Sequence, residues 1–201
     1  MYTSPEDARQ VWARAQSFAQ LCELTIQFIE GVLPFFPTYG SPNEETNDIK
    51  SALVQLNRQG LLTTGSQPAM LKPDYAQRAW VEGFARKKTA LVFAAKSLYS
   101  DVHIVVFPPR VERGYMIPIT VADGRPYTWA GASAYFELEP CFKKVCNARA
   151  MRALTSAWYV VAIDLVWGRK EHLWEILLAA NQPGYSARPH PDLGIEHEFY
   201  Y

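Results

Sequence analysis

The residues of this chain best suited to chemistry are polar groups gathered where one predicted helix begins and the following strand ends: Glu45, Thr46, Thr63 and Ser66, with Thr64 beside them. Ordinary core packing does not ask for polar residues there. A carboxylate accepts hydrogen bonds and a hydroxyl both donates and accepts, so the group suits a ligand that presents amines, hydroxyls and ring nitrogens. Trp80, Trp129, Trp158, Trp167 and Trp174 each offer an indole able to stack on a flat ring. The same residues also have structural uses: Thr46 and Ser66 as cap and turn residues, Thr63 and Thr128 as strand formers, and tryptophan as core.

Catalytic machinery is not visible in the spacing. G-x-S-x-G, G-x-x-x-x-G-K-[ST] and G-x-G-x-x-G are absent. His103, His172, His190 and His197 lack metal-ligand spacing, and Cys22, Cys141 and Cys146 form no paired C-x-x-C. No catalytic residue, metal or required cofactor is therefore assigned. Glu45 with Glu82, and Cys141 with a histidine, are the formal pairings that remain. Asp164 closes an apolar run before Trp167-Gly168-Arg169, where it either meets a ligand at a strand end or pairs with Arg169. Lys143, Lys144, Arg149 and Arg152 read as a solvated basic face.

The blocks Glu45-Thr46, Asn57-Arg58-Gln59-Gly60, Leu62-Thr63 and Ser66-Gln67-Pro68 resemble the S-adenosylmethionine-binding regulatory domain that follows the catalytic barrel of eukaryotic methylenetetrahydrofolate reductases. Gln77 to Phe84, Thr128-Trp129, Trp158 to Asp164 and Leu173-Trp174 continue the likeness in order. It is similar to free-standing forms of that pattern in actinobacteria and their phages. The resemblance implies a mixed α and β fold and places Glu45, Thr46, Thr63, Ser66 and Thr128 around S-adenosylmethionine or S-adenosylhomocysteine, with Trp129 as the neighbouring aromatic residue. Cys141 stands where the family's next ligand-side threonine aligns, and Thr64-Gly65 replaces the family's Ile-Asn. Those departures leave room for a related adenine-containing nucleotide. The implied role is a sensor or sequestering module; the alternatives are an enzyme cleaving such a compound and an interaction domain that has lost the pocket.

The chain that must position these residues has 201 residues, 49% of them hydrophobic, enough for one domain with a sizeable core. Lys plus Arg equals Asp plus Glu at 20 each, so no global field favours nucleic acid or an anionic membrane. With no signal peptide and no apolar run near a span's length, a cytoplasmic location is expected. A protein partner or self-association is open.

The pattern predicts an α/β or α+β domain around a central mixed sheet flanked by helices, over 1–201: an N-terminal helix and linker (1–40), a ligand-binding core (41–181) and an irregular tail (182–201). One helix is predicted from Ser4-Pro5 to about Val32. A second follows a capping box at Ser41 and Glu44 and stops at Gly60. Glu45 and Thr46 then sit in its first turn. Strands are expected over 61–66, 78–84, 102–107, 115–121, 126–131 and 158–166, with 68–73 a loop and an Asp123-Gly124 turn. Helices are expected over 86–100, 136–157 and 172–181.

Overall fold

The structure is a computed structural model that describes residues 5–38, 42–98, 100–111, 116–131 and 134–179. The expected first helix is two, α1 (Pro5–Arg14) and α2 (Phe18–Ile29). Ser17 caps the second by accepting from Gln20 N–H, while Gln20 Oε1 accepts from Gln16 N–H. The apolar period runs through this break because Trp12, Ala15, Phe18 and Leu21 all face one core from both sides of it. The helix expected to reach about Val32 stops sooner: α2 ends at Ile29, Gly31 turns with φ 80°, and Val32 is exposed.

The second helix begins differently from its predicted form. Asn43 accepts from Glu44 N–H and starts a 3-10 helix, Glu44–Ile49, which runs into α3 (Lys50–Arg58). Glu45 and Thr46 thus lie in the 3-10 segment, and Ser41 lies outside the described residues. Gly60 ends the element at φ 91°, a left-handed turn that glycine takes without steric cost.

Strand β1 (Leu61–Gln67) follows at once. The expected loop at 68–73 instead holds β2 (Met70–Lys72), hairpinned to β3 (Tyr75–Gln77). The order continues with β4 (Trp80–Ala85), α4 (Lys87–Ser97), β5 (Val102–Phe107), β6 (Ile117–Ala122) and β7 (Arg125–Ala130). Asp123 at φ 49° and Gly124 at φ 71° form the tight β6–β7 turn, as an Asp-Gly pair should. The expected long helix at 136–157 is α5 (Ala134–Lys143) and α6 (Ala148–Thr155), separated where Asn147 caps α6 by accepting from the N–H groups of Arg149 and Ala150. Strand β8 (Trp158–Asp164) and α7 (His172–Ala179) complete the described fold.

The α+β class is as expected, but the strands divide between two antiparallel sheets rather than one central sheet. Their orders are β1-β4-β8-β5 and β2-β3-β6-β7. Between β3 and β4 the chain passes from one sheet to the other, and this crossing is pinned. Arg78 N–H donates to Ile119 O, Asp164 N–H to Ala79 O, and Gln67 Nε2 to both Arg78 O and Ile119 O. The first sheet is the buried one: Val160, Val161, Ala162 and Ile163 of β8 are fully enclosed, as the near-continuous apolar run requires. Helices α2 and α3 pack together and against β1. Trp12, Phe36 and Phe142 close the adjoining core edge-to-face, with centroids 5.4 to 6.0 Å apart. Among the described residues no helix is long and apolar enough to cross a membrane.

Candidate functional site

A cavity of about 660 Å3 opens between α2, the 3-10 helix and β1, within the roughly 300–1,000 Å3 span of small-molecule sites. Glu45 and Thr46 line it from the 3-10 helix, and Thr63, Thr64, Gly65 and Ser66 line it from β1. Phe28, Ile29, Phe36, Leu53 and Trp80 make the apolar part of the wall.

Four consecutive strand residues reach one cavity because β1 is irregular. Thr63 pairs with Gly83 and Gly65 with Glu82, so Thr64 is the extra residue of a β-bulge. A regular strand would turn alternate side chains away; a bulge re-aims them. Thr64 Oγ1 donates to Glu82 O at 3.4 Å, and both Thr63 and Thr64 are buried. Gly65 is crowded by side chains: a Cβ there would lie 2.6 Å from Trp80 Cη2 and 3.3 Å from Glu82 Oε1.

Glu45 is fixed from the second sheet, where Gln77 Nε2 donates to its Oε2 at 3.2 Å. Gln77 faces Thr120 across the β3–β6 ladder. Thr120 Oγ1 donates to Gln67 Oε1 and accepts from Thr128 Oγ1 at 2.7 Å. The Tyr75 hydroxyl belongs to the same corner. Burial and then the Glu45 carboxylate push its pKa up, against a hydrogen bond with Thr120.

The structure therefore brings Glu45, Thr46, Thr63 and Ser66 together, and it does not bring Thr128 or Trp129 to the cavity. Thr128 sits in the hydrogen-bonded corner behind Gln77, on β7 at the sheet edge. Trp129, on the same edge strand, is 46% exposed. Asp164 does not line the cavity either. It is fully buried and receives Arg169 Nε at 2.6 Å and Nη2 at 2.7 Å, so the ion-pair role is the one realised. Lys143, Lys144, Arg149 and Arg152 are exposed, as a solvated face should be. Burial pushes the Cys22 and Cys146 thiols up to about 12, which suits structural rather than reactive cysteines.

Thr25, Asn43 and Trp80 also line the cavity and were not among the predicted site residues. Thr25 carried a signal: it is a hydroxyl on the buried stripe of α2, where it donates to Leu21 O. Trp80 carried only the stacking indole it shares with Trp129, Trp158, Trp167 and Trp174, and a strand tryptophan looks like core. Among the described residues no group of three or more His, Cys, Asp or Glu side chains is arranged to hold a metal ion.

Fold and cavity together define an α+β domain with two antiparallel sheets and a polar-rimmed pocket of small-molecule size. The chain belongs to the family described as Domain of unknown function (DUF6919), which it matches over residues 7–182. No curated protein matches it.

Proposed function

We propose that this protein is a small-molecule-binding module for S-adenosylmethionine, S-adenosylhomocysteine or a related adenine-containing nucleotide, acting in the cytoplasm as a sensor or by sequestering its ligand. The observation that carries this reading is the convergence of Glu45, Thr46, Thr63 and Ser66, 21 positions apart in sequence from first to last, on one cavity. Hydroxyls of β1 and carboxylates of the 3-10 helix line the same cavity, and Trp80 and Phe36 add flat apolar surface to its wall. An adenosyl amino acid combines those needs: a ring to stack, a diol and an ammonium to donate, and a carboxylate to accept. Thr128 belongs to this reading only indirectly, through the Thr120 and Gln67 corner. Output would pass to a protein partner or a second copy of the chain.

Calorimetric titration with both adenosyl compounds and a panel of adenine nucleotides, followed by chromatography of the recovered ligand, tests the reading. Binding with the ligand returned intact supports the module. Conversion of the ligand makes the protein an enzyme, and no binding by any member leaves an interaction domain.

A further inference from the structure

We propose that the cavity is selective by charge, taking a net-positive, phosphate-free ligand with an aromatic or apolar body and rejecting phosphorylated nucleotides; this rests on the cavity being the ligand site. Its lining holds two carboxylates, Glu44 and Glu45, and among the described residues no lysine, arginine or histidine. Phosphate sites commonly supply guanidinium or ammonium groups, which the described residues of this wall lack.

The Glu45 carboxylate is placed to act on a ligand. Gln77 holds Glu45 by one oxygen at 3.2 Å, which fixes its direction, and a carboxylate has about four lone-pair sites to offer. A phosphate brought here would meet the Glu44 and Glu45 carboxylates, with no cation among the described residues of the wall to offset them. An ammonium or sulfonium meets the opposite field, and the Trp80, Phe28 and Phe36 rings add aromatic surface that attracts cations.

S-adenosylmethionine and S-adenosylhomocysteine share one body and differ in the charge on sulfur, so the pair isolates the effect. Titrations of the full chain with both, and with adenosine 5′-monophosphate and adenosine 5′-triphosphate, are run at two salt concentrations. Expected are affinity at least about tenfold higher for the sulfonium, about 1.4 kcal/mol, a decline of that affinity with salt, and no binding of either phosphate. Glu45→Gln should cut sulfonium affinity about tenfold, as loss of a near charge predicts, and change the thioether's affinity much less. Glu44→Gln is the second variant if the first fails to fold, and it should move affinity in the same direction. Equal affinity for the two sulfur forms without salt dependence, or phosphate binding as tight as the sulfonium, overturns charge selection and leaves the site reading standing. Absence of binding by both adenosyl compounds and both phosphates sinks the two together.

Discussion

Asn57 holds Thr63 from two directions: its Nδ2 donates to Thr63 Oγ1 at 2.8 Å, and its Oδ1 accepts from Thr63 N–H at 3.3 Å. The same Nδ2 also donates to Leu53 O, so one buried amide ties the end of α3 to the cavity's first strand residue. Because that contact spans Gly60, the turn and the two side chains are fixed as a unit. The Thr63 hydroxyl, already accepting from Asn57, is left with its proton to donate toward the cavity. An asparagine inside a helix normally competes with the backbone; here that tendency sets the geometry of the site.

Asn57→Ala would strand the Thr63 N–H and hydroxyl in the interior. Each buried orphan costs about 1–3 kcal/mol, so a loss of about 2–4 kcal/mol in urea denaturation is expected. Ligand affinity should fall as well, since Thr63 loses its direction. A stability change under 0.5 kcal/mol would mean that Asn57 is not the tie described.

Gly65 and Gly83 are both crowded glycines, and their alanine variants should behave differently. At Gly83 an added Cβ would lie 2.1 Å from the Leu62 carbonyl oxygen, backbone against backbone in the β1–β4 ladder, with no side chain able to yield. Gly83→Ala should fail to fold. At Gly65 the nearest atom is the tip of Trp80, at 2.6 Å, and a ring can turn. Gly65→Ala should fold with a loss of about 1–3 kcal/mol, in line with small overpacking. Because Trp80 is a wall of the cavity, its displacement should shift tryptophan fluorescence and weaken binding more than tenfold. Unchanged affinity with a shifted fluorescence signal would separate Trp80 from the ligand.

Glu45 and Ser66 are partly exposed at the cavity edge, so their truncation should leave the fold intact. Ser66→Ala is expected to change stability by less than about 0.5 kcal/mol, as surface substitutions do, whereas Glu45→Ala should cost about 1–3 kcal/mol because it strands the buried Gln77 Nε2; each should lower adenosyl affinity about tenfold. Thr128→Ala is the contrast. It removes a 2.7 Å bond to Thr120 away from the cavity, so it should cost stability while affinity moves little. Affinity lost in Thr128→Ala and kept in Glu45→Ala would relocate the site to the second sheet.

Much of this was legible in the residues. Val102–Phe107 reads as a strand because every position except His103 is β-branched or aromatic, and Gly60 and Asp123-Gly124 mark turns that need positive φ. Glu45, Thr46, Thr63 and Ser66 could be grouped because all lie within one helix–turn–strand unit. What stayed hidden depended on groups distant in sequence or on breaks that spare the period. The apolar stripe crosses the α1–α2 break undisturbed, so only Ser17 announces it. The β2 and β3 strands have three residues each, too short for alternation to register. The division into two sheets hangs on pairing between Gln77 and Thr120, 43 positions apart, and with it went the placement of Thr128 and Trp129.

Arg169 joins two carboxylates, Asp164 and Asp101, and Asp101 also meets His172 Nε2 at 2.6 Å. This network closes the turn between β8 and α7 and carries a pH signature. Partial burial alone would raise the Asp101 carboxyl, but hydrogen bonds from Arg169 and His172 outweigh it and hold the group below its usual value. With the folded pKa depressed, the unfolded chain takes up the proton first as pH falls. Asp101 therefore contributes stability that is fully present above its unfolded pKa of about 3.9 and is lost as pH drops through the lower folded value. Asp101→Asn keeps the side chain's shape and removes the charge. The stability gap between the parent chain and this variant should be larger at pH 5 than at pH 3, shrinking below pH 4. Urea midpoints measured from pH 7 to pH 3 decide it. A gap that stays level across the whole range would assign the effect of Asp101 to hydrogen-bond geometry rather than to its charge.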